Sequence, residues 1–284
     1  MVTKLPDQVL QKRNMFDDYR CVRVLGKGSF GTAYLVERKT DNQKLVMKTN
    51  QMLRISKEER QDIINEAKVM EHVQHPNLTQ FVEFFEEKST GKLCIVMDFA
   101  DDGDLHAKIK KKQGYFEERL ILDWFVQICL GMKHLHDRKI LHRDIKSQNV
   151  FLTRSGVIKI GDFGTSKVLS QTMQKARTQV GTPYYLSPEI IKEQPYSFLT
   201  DVWSMGILLA ELCIKKPPFD ATSIMQLGRK ICSGLYTPIP SHYSQDMRNL
   251  VKACLQVDVR KRPSVNQILQ MPFVKERIQQ FLSE

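Results

Sequence analysis

A chain of 284 residues, 42% hydrophobic and 26% charged, is long enough for one large domain or two lobes and has the make-up of a soluble globular protein. Its formal net charge of +11 would suit a polyanion or an acidic protein. The densest basic run, Lys108 with Lys110, Lys111 and Lys112, lacks the interleaved aromatic residues of single-strand binders, so it reads as a solvated face and no nucleic-acid partner is expected. No apolar run is long enough to span a bilayer; the stretch Ile207 to Ile214 is interrupted by Glu211 and reads as a buried helix. Residues 1–16 lack the apolar core of a signal peptide, and the six cysteines form no Cys-x-x-Cys pair. These features lead to the expectation of a reducing, intracellular (cytoplasmic) setting, without a membrane partner, disulfide framework or zinc site.

In chain order, residues 1–18 read as a polar extension. Tyr19 to Leu25 alternates as a strand into Gly26-Lys27-Gly28-Ser29-Phe30-Gly31, and Thr32 to Glu37 resumes a strand. Glycines in such a turn allow backbone N–H groups to approach phosphates without side-chain obstruction. A dinucleotide-binding loop with the same spacing would open a helix after Gly31, whereas here β-prone Thr32, Tyr34, Leu35 and Val36 follow. That disfavours a Rossmann-type oxidoreductase. Lys48 ends a strand through Leu45-Val46-Met47, placed to reach the α- and β-phosphates of a nucleotide. A helix over residues 57–72 carries Ile63, Ala67 and Met70 on one face, with Glu66 beside it to pair with Lys48. His75-Pro76-Asn77 ends that helix, and Phe81 to Phe85 and Leu93 to Met97 read as strands. Asp98-Phe99-Ala100 is the expected hinge to a helical lobe whose long helix runs from Phe116 to His136.

The chemistry concentrates in His142-Arg143-Asp144-Ile145-Lys146-Ser147-Gln148-Asn149. Asp144 can accept the proton of an attacking hydroxyl, Lys146 can neutralise charge on a transferring phosphoryl group, and Asn149 can offer a hard carbonyl oxygen to Mg²⁺. Asp162-Phe163-Gly164 follows the strand-like Val157 to Ile160. Two such signatures at strand ends are far more specific than either alone. Gly181 to Glu189 comes next, then Asp201-Val202-Trp203-Ser204-Met205-Gly206 opening a buried helix. Arg262 is the expected buried partner of Glu189.

From Tyr19 to Phe273 the chain resembles the eukaryotic protein kinase catalytic domain, with every functional segment in order. Ser-Pro-Glu within Gly181 to Glu189, Ile95 to Phe99 with Gly103-Asp104-Leu105, and His142 to Phe151 resemble the NIMA-related (Nek) kinases. The resemblance implies an α+β, bilobal protein kinase fold: an extension over 1–18, a small β-rich lobe over 19–99 with one key helix, and a mainly helical lobe over 100–284. It implies a Ser/Thr protein kinase using ATP and Mg²⁺ on protein substrates. A nucleotide-binding pseudokinase scaffold is the alternative. It further implies cell-cycle, microtubule, centrosomal or ciliary work, in the cytoplasm or nucleus, with the isolated domain a monomer.

Carried over by position, Lys48 and Glu66 form a nucleotide-clamping ion pair. Asp144 is the base or hydroxyl-orienting group, Lys146 stabilises the γ-phosphate, and Asn149 with Asp162 holds Mg²⁺. Leu25, Gly26, Gly28, Gly31, Ala33, Val46, Met97, Asp98, Ala100 and Phe151 surround the nucleotide, and Thr182 bonds Asp144 and Lys146. Three positions depart from the usual pattern. Ala33 and Val46 exchange the customary valine and alanine of the adenine roof. Gln148 stands where Arg-directed kinases place glutamate, and Asp98 replaces a hinge glutamate. Thr165 after Asp-Phe-Gly goes with threonine acceptors, and the Nek resemblance implies a large apolar residue three before the target. Thr178 lies where Nek kinases carry an activating phosphate, with Arg143 and Lys167 as its cationic pocket; Asp62 offers no third cation.

Overall fold

In the computed structural model, residues 12–28, 31–50, 70–161 and 184–283 are described. They fall into two compact units, one within Met1–Gln74 and Thr79–Phe99, the other within His75–Leu78 and Ala100–Glu284.

The first unit is a six-stranded sheet in the order β1-β5-β6-β4-β3-β2. Its strands are β1 (Lys12–Arg13), β2 (Tyr19–Gly28), β3 (Gly31–Arg38), β4 (Lys44–Asn50), β5 (Phe81–Glu87) and β6 (Leu93–Asp98). Successive residues of a strand face opposite ways, and here both faces are apolar. Leu45 and Met47 of β4, with Cys94 and Val96 of β6, join Tyr19, Val36 and Phe85 on one side. Leu93, Ile95 and Met97 pack with Val46, Phe81 and Phe84 on the other. The uninterrupted apolar run in β6 is therefore the mark of a central strand.

Within the extension expected over 1–18, Lys12 and Arg13 form β1 instead, parallel to β5. Arg13 secures it: the guanidinium lies 4.1 Å over the Phe85 ring and pairs with Glu83 at 2.5 Å and Asp18 at 2.6 Å. Those partners are distant in sequence or outside any periodic pattern, so local reading misses the strand. β4 also runs two residues past Lys48.

The second unit is mainly helical: α1 (Leu105–Lys111), α2 (Glu118–Asp137), α3 (Pro188–Ile191), α4 (Phe198–Ile214), α5 (Ile224–Ser233), α6 (Gln245–Cys254), α7 (Val265–Leu269) and α8 (Pro272–Ser283). A hairpin, β7 (Val150–Leu152) with β8 (Ile158–Ile160), completes it. α4 begins three residues before Asp201, because Ser197 and Thr200 form a reciprocal capping box there. The segment His75–Leu78, expected as a turn inside the small lobe, packs with this unit. The buried Asn77 amide donates to Gln127 at 3.0 Å and to the Ile158 carbonyl at 3.1 Å. Of the helix expected over 57–72, only Met70 and Glu71 are described as helical; the rest lies outside the described residues.

Candidate active site

In the first unit, strand register gathers the expected nucleotide-contacting residues. Ala33 is opposite Lys48, Leu35 opposite Val46, and Val46 and Lys48 are opposite Met97 and Ile95. Because cross-strand partners share a face, Ala33, Val46, Lys48 and Met97 lie on one side of the sheet. Val46 and Lys48 are half-buried there, whereas Leu45 and Met47 on the reverse are buried. Leu25 falls at a register shift between Val24 and Gly26, and such bulges re-aim a side chain; it is half-buried between exposed neighbours. The Asp98 carboxylate accepts the Gln80 backbone N–H at 2.8 Å, a structural role for the residue that replaces the hinge glutamate.

Two glycines of the loop differ in kind. A Cβ at Gly26 would meet nothing within 4 Å, so its backbone leaves an open approach for a ligand. A Cβ at Gly31 would lie 1.5 Å from the Thr49 carbonyl oxygen, so that glycine is required by the β3–β4 contact itself. Gly31→Ala should therefore lower stability by about 1–3 kcal/mol, as overpacking against fixed backbone does. Gly26→Ala should keep its Tm and show its effect in nucleotide affinity. Thermal melts with nucleotide titration check both; equal Tm losses would refute the distinction.

In the second unit, a single turn holds the catalytic segment. Ser147–Asn149 form a 3-10 turn leading into β7. Lys146 Nζ donates to Asp144 Oδ2 at 2.7 Å, and Asn149 Nδ2 donates to the same oxygen at 2.8 Å and to the Asp144 carbonyl at 2.8 Å. Among the described residues both side-chain bonds fall on Oδ2, so Oδ1 is the oxygen available to a hydroxyl. Asp144 is half-buried and the turn residue Gln148 is exposed. Phe151 in β7 is half-buried, faces Lys159 across the hairpin and forms a bridge with Asp104. Glu66, Asp162, Lys167, Thr178 and Thr182, as well as Ser29 and Phe30 of the glycine loop, lie outside the described residues.

The profile of the protein kinase domain matches residues 19–274. The chain is 48% identical over 268 residues to serine/threonine-protein kinase Nek1 of Mus musculus, covering 94% of this chain and 22% of that protein. It is 44% identical over 269 residues to Nek5 of Homo sapiens (94% and 38% covered) and 46% over 254 residues to Nek3 of Mus musculus (89% and 49% covered). The chain belongs to the protein kinase family, among the Nek kinases. The resemblance read from the motifs is borne out. The chain spans between 22% and 49% of the length of these relatives.

What anchors the catalytic segment of this kinase domain is Asp201, to which the sequence reading assigned no role. Its fully buried carboxylate accepts the backbone N–H of His142 at 3.0 Å and of Arg143 at 2.9 Å, is bonded to His136 Nε2 at 2.9 Å, and takes the Tyr196 hydroxyl. Burial alone would raise its pKa. The hydrogen bond and charge of His136, the charge of His142 and the Tyr196 hydroxyl outweigh that and hold the carboxyl below its ordinary value. The two N–H bonds also fix an unfavourable backbone: Arg143 has φ 69°, the left-handed region that costs a non-glycine residue free energy. His142 Nε2 meets the Gly161 carbonyl at 2.9 Å, tying the segment to the residue before Asp162. The signal in the sequence was a carboxylate inside a mainly apolar helix, which burial makes tolerable only with partners.

A second buried carboxylate on α4 supports the same turn. Glu211 accepts the Ser147 hydroxyl at 3.3 Å and the Tyr185 hydroxyl, while the Ser147 backbone N–H donates to Tyr185 Oη at 3.1 Å. Burial pushes the Glu211 carboxyl up despite the lowering by Tyr185 and Ser147. Arg262 meets Glu189 through two bonds, at 2.8 and 3.1 Å, with the pair nearly inaccessible to solvent.

Proposed function

We propose that this chain is an active serine/threonine protein kinase, transferring the γ-phosphoryl group of MgATP to hydroxyls of protein substrates. The observation that carries the reading is the Asp144 carboxylate, held through Oδ2 by Lys146 and Asn149, with no side-chain bond on Oδ1 among the described residues. In this reading Asp144 orients the hydroxyl and takes its proton. Lys146, beside it, offsets charge on the γ-phosphate, and Lys48 with Glu66 holds the α- and β-phosphates. On the family resemblance, Leu25, Ala33, Val46, Met97 and Asp98 of the first unit, and Ala100 and Phe151 of the second, are each proposed as base-contacting residues, and Gly26, Gly28 and Gly31 as phosphate-contacting ones.

Asn149 and Asp162 would hold Mg²⁺. The described half of that donor set suits a hard cation, because the Asn149 amide nitrogen is committed to Asp144 and its carbonyl oxygen is the atom to offer a metal. When bound, Mg²⁺ supplies neutralisation of phosphate charge. A pseudokinase scaffold is disfavoured by the presence of Lys48, Glu66, Asp144, Asn149 and Asp162 together.

The exposed, uncharged Gln148 supports substrates selected by a large apolar residue three before a threonine rather than by arginine. Thr178 is proposed as the activating phosphosite, its charge met by Arg143 and Lys167. Among the described residues the Arg143 guanidinium makes no hydrogen bond or ion pair, which supports a role for it toward an anion. Work at microtubules, the centrosome or the cilium, or in the cell cycle, in the cytoplasm or nucleus, is proposed on the Nek resemblance alone, as is the monomeric state of the domain.

The test is transfer of labelled phosphate from ATP to a peptide array, with intact-mass measurement before and after phosphatase. Apolar-directed Thr peptides should lead, phosphatase should lower turnover, and Thr178→Ala should stay low. Transfer no greater than that of Lys48→Met would overturn the catalytic reading. Arginine dominance would overturn the specificity, and full activity in Thr178→Ala would overturn the switch.

A further inference from the structure

Two lysine-rich segments far apart in sequence meet on the unit that carries the catalytic segment. The end of α1 supplies the exposed Lys110, Lys111 and Lys112, and the end of α4 supplies Lys215 and the exposed Lys216. Lys215 joins them. It ends α4 in the left-handed conformation at φ 61° and donates its ammonium group to the Lys112 carbonyl. Lys112 in turn lies 5.6 Å over the Phe116 ring. Two flanking carboxylates are already engaged: Asp102 pairs with Lys108, and Glu118 accepts the Ser244 backbone N–H at 2.6 Å. Among the described residues, Lys110, Lys111 and Lys216 form no ion pair.

A helix C-terminus favours cations beside its last carbonyls. That accounts for Lys111, Lys112 and Lys215, but not for Lys216 or for gathering so many like charges against their repulsion. The position matters as well. His106, near the start of α1, lies 3.4 Å from the Ser147 hydroxyl, so the short helix that touches the catalytic segment at one end carries the lysines at the other. Its 7 residues span about 10 Å, a distance that an extended peptide covers in a few residues.

We propose that this lysine surface docks an acidic segment of the protein substrate, a few residues removed from the acceptor hydroxyl. The proposal rests on the kinase reading above and adds a substrate class to it. Carboxylates along an extended chain suit separate ammonium groups, each pair weak and screened by salt, with several acting together. The chemistry favours polypeptide over nucleic acid. The exposed ring next in sequence to the patch, Tyr115, is packed at a 43° tilt against His242 with centroids 4.7 Å apart, and lysine lacks the bidentate fork that suits phosphate. A lipid surface is disfavoured because α1 buries its apolar residues, Leu105 and Ile109.

The test begins with binding of the whole chain to labelled oligoglutamate, followed by fluorescence anisotropy, with a single-stranded oligonucleotide and phosphatidylserine vesicles alongside. Oligoglutamate should bind saturably and weaken as salt rises. Lys110→Glu, Lys111→Glu and Lys216→Glu combined should cost about ten-fold or more in affinity with Tm unchanged. A charge-matched set at exposed Lys252, Lys261 and Lys275 should cost far less. Equal losses in both sets, or preferential capture of oligonucleotide or vesicles by the patch, would overturn the proposal. In transfer assays, adding an acidic stretch to an acceptor peptide should lower KM in the wild type and not in the patch variant, with turnover of the plain peptide unchanged in both. No benefit from the acidic stretch defeats the docking site, whereas no transfer to the plain peptide defeats the kinase reading.

Discussion

Replacing Asp144 with asparagine should lower kcat by about 10²–10⁴-fold, the usual contribution of a positioned proton acceptor, while leaving Tm and nucleotide affinity close to wild type. The reason lies in how the side chain is held. Lys146 and Asn149 both donate to Oδ2, at 2.7 and 2.8 Å. An asparagine can turn its carbonyl oxygen toward those two donors and keep the local bonds. What it then presents to the acceptor is an NH₂ group, which donates where the reaction needs an acceptor. The effect is therefore confined to chemistry, and single-turnover rates with a melting curve separate it from misfolding. A kcat within about ten-fold of wild type would mean that Asp144 contributes less than any general base should.

Removing the carboxylate of Asp201 should be costly in a different way. Asp201→Ala leaves the His142 and Arg143 N–H groups, the His136 ring and the Tyr196 hydroxyl without their acceptor in a site from which water is excluded. Breaking a buried charged network of this kind costs about 3–5 kcal/mol, a fall in Tm of roughly 10 °C for a chain of this size. Arg143 would also lose the bond that sustains its left-handed backbone, so kcat should fall even where the protein remains folded. Asp201→Asn, which keeps one acceptor oxygen, should fall between the two.

The pH dependence has a definite sign. The Asp201 pKa is lower folded than unfolded, so its contribution is complete above the unfolded value and disappears as pH falls through the folded one. The stability gap between wild type and Asp201→Ala should stay constant around neutrality and narrow only in acid, below about pH 4. Chemical denaturation at several pH values measures this. A gap that narrows between neutrality and mild acid would assign the stabilisation to another group.

The chemistry of this protein was legible in its sequence because it resides in short contiguous segments. Gly26 to Gly31 before β-prone residues, and His142 to Asn149, each carry their functional groups in a few consecutive residues, so residue order alone shows which groups are present. The apolar run Leu45-Val46-Met47 before Lys48 shows a strand but not which side each residue takes; register brings Lys48 and Val46 to the face of Ala33.

The supports were not legible, because they act across long stretches of chain. Asp201 holds His142 and Arg143 from 59 and 58 positions away, and Glu211 holds Ser147 from 64. In the sequence they are only polar interruptions of an apolar helix, since burial and hydrogen-bond partners belong to the folded chain. Gly31 was read as a glycine that lets the backbone approach phosphate; the Thr49 carbonyl that also excludes a side chain there is visible only once β3 and β4 are paired. The same holds for β1, built on Arg13 and Phe85, and for the meeting of Lys112 with Lys215. Sequence by itself determined which groups are present and how each short segment presents them; tertiary structure alone decided which distant groups desolvate one another, and desolvation sets the strength of a charge or a hydrogen bond.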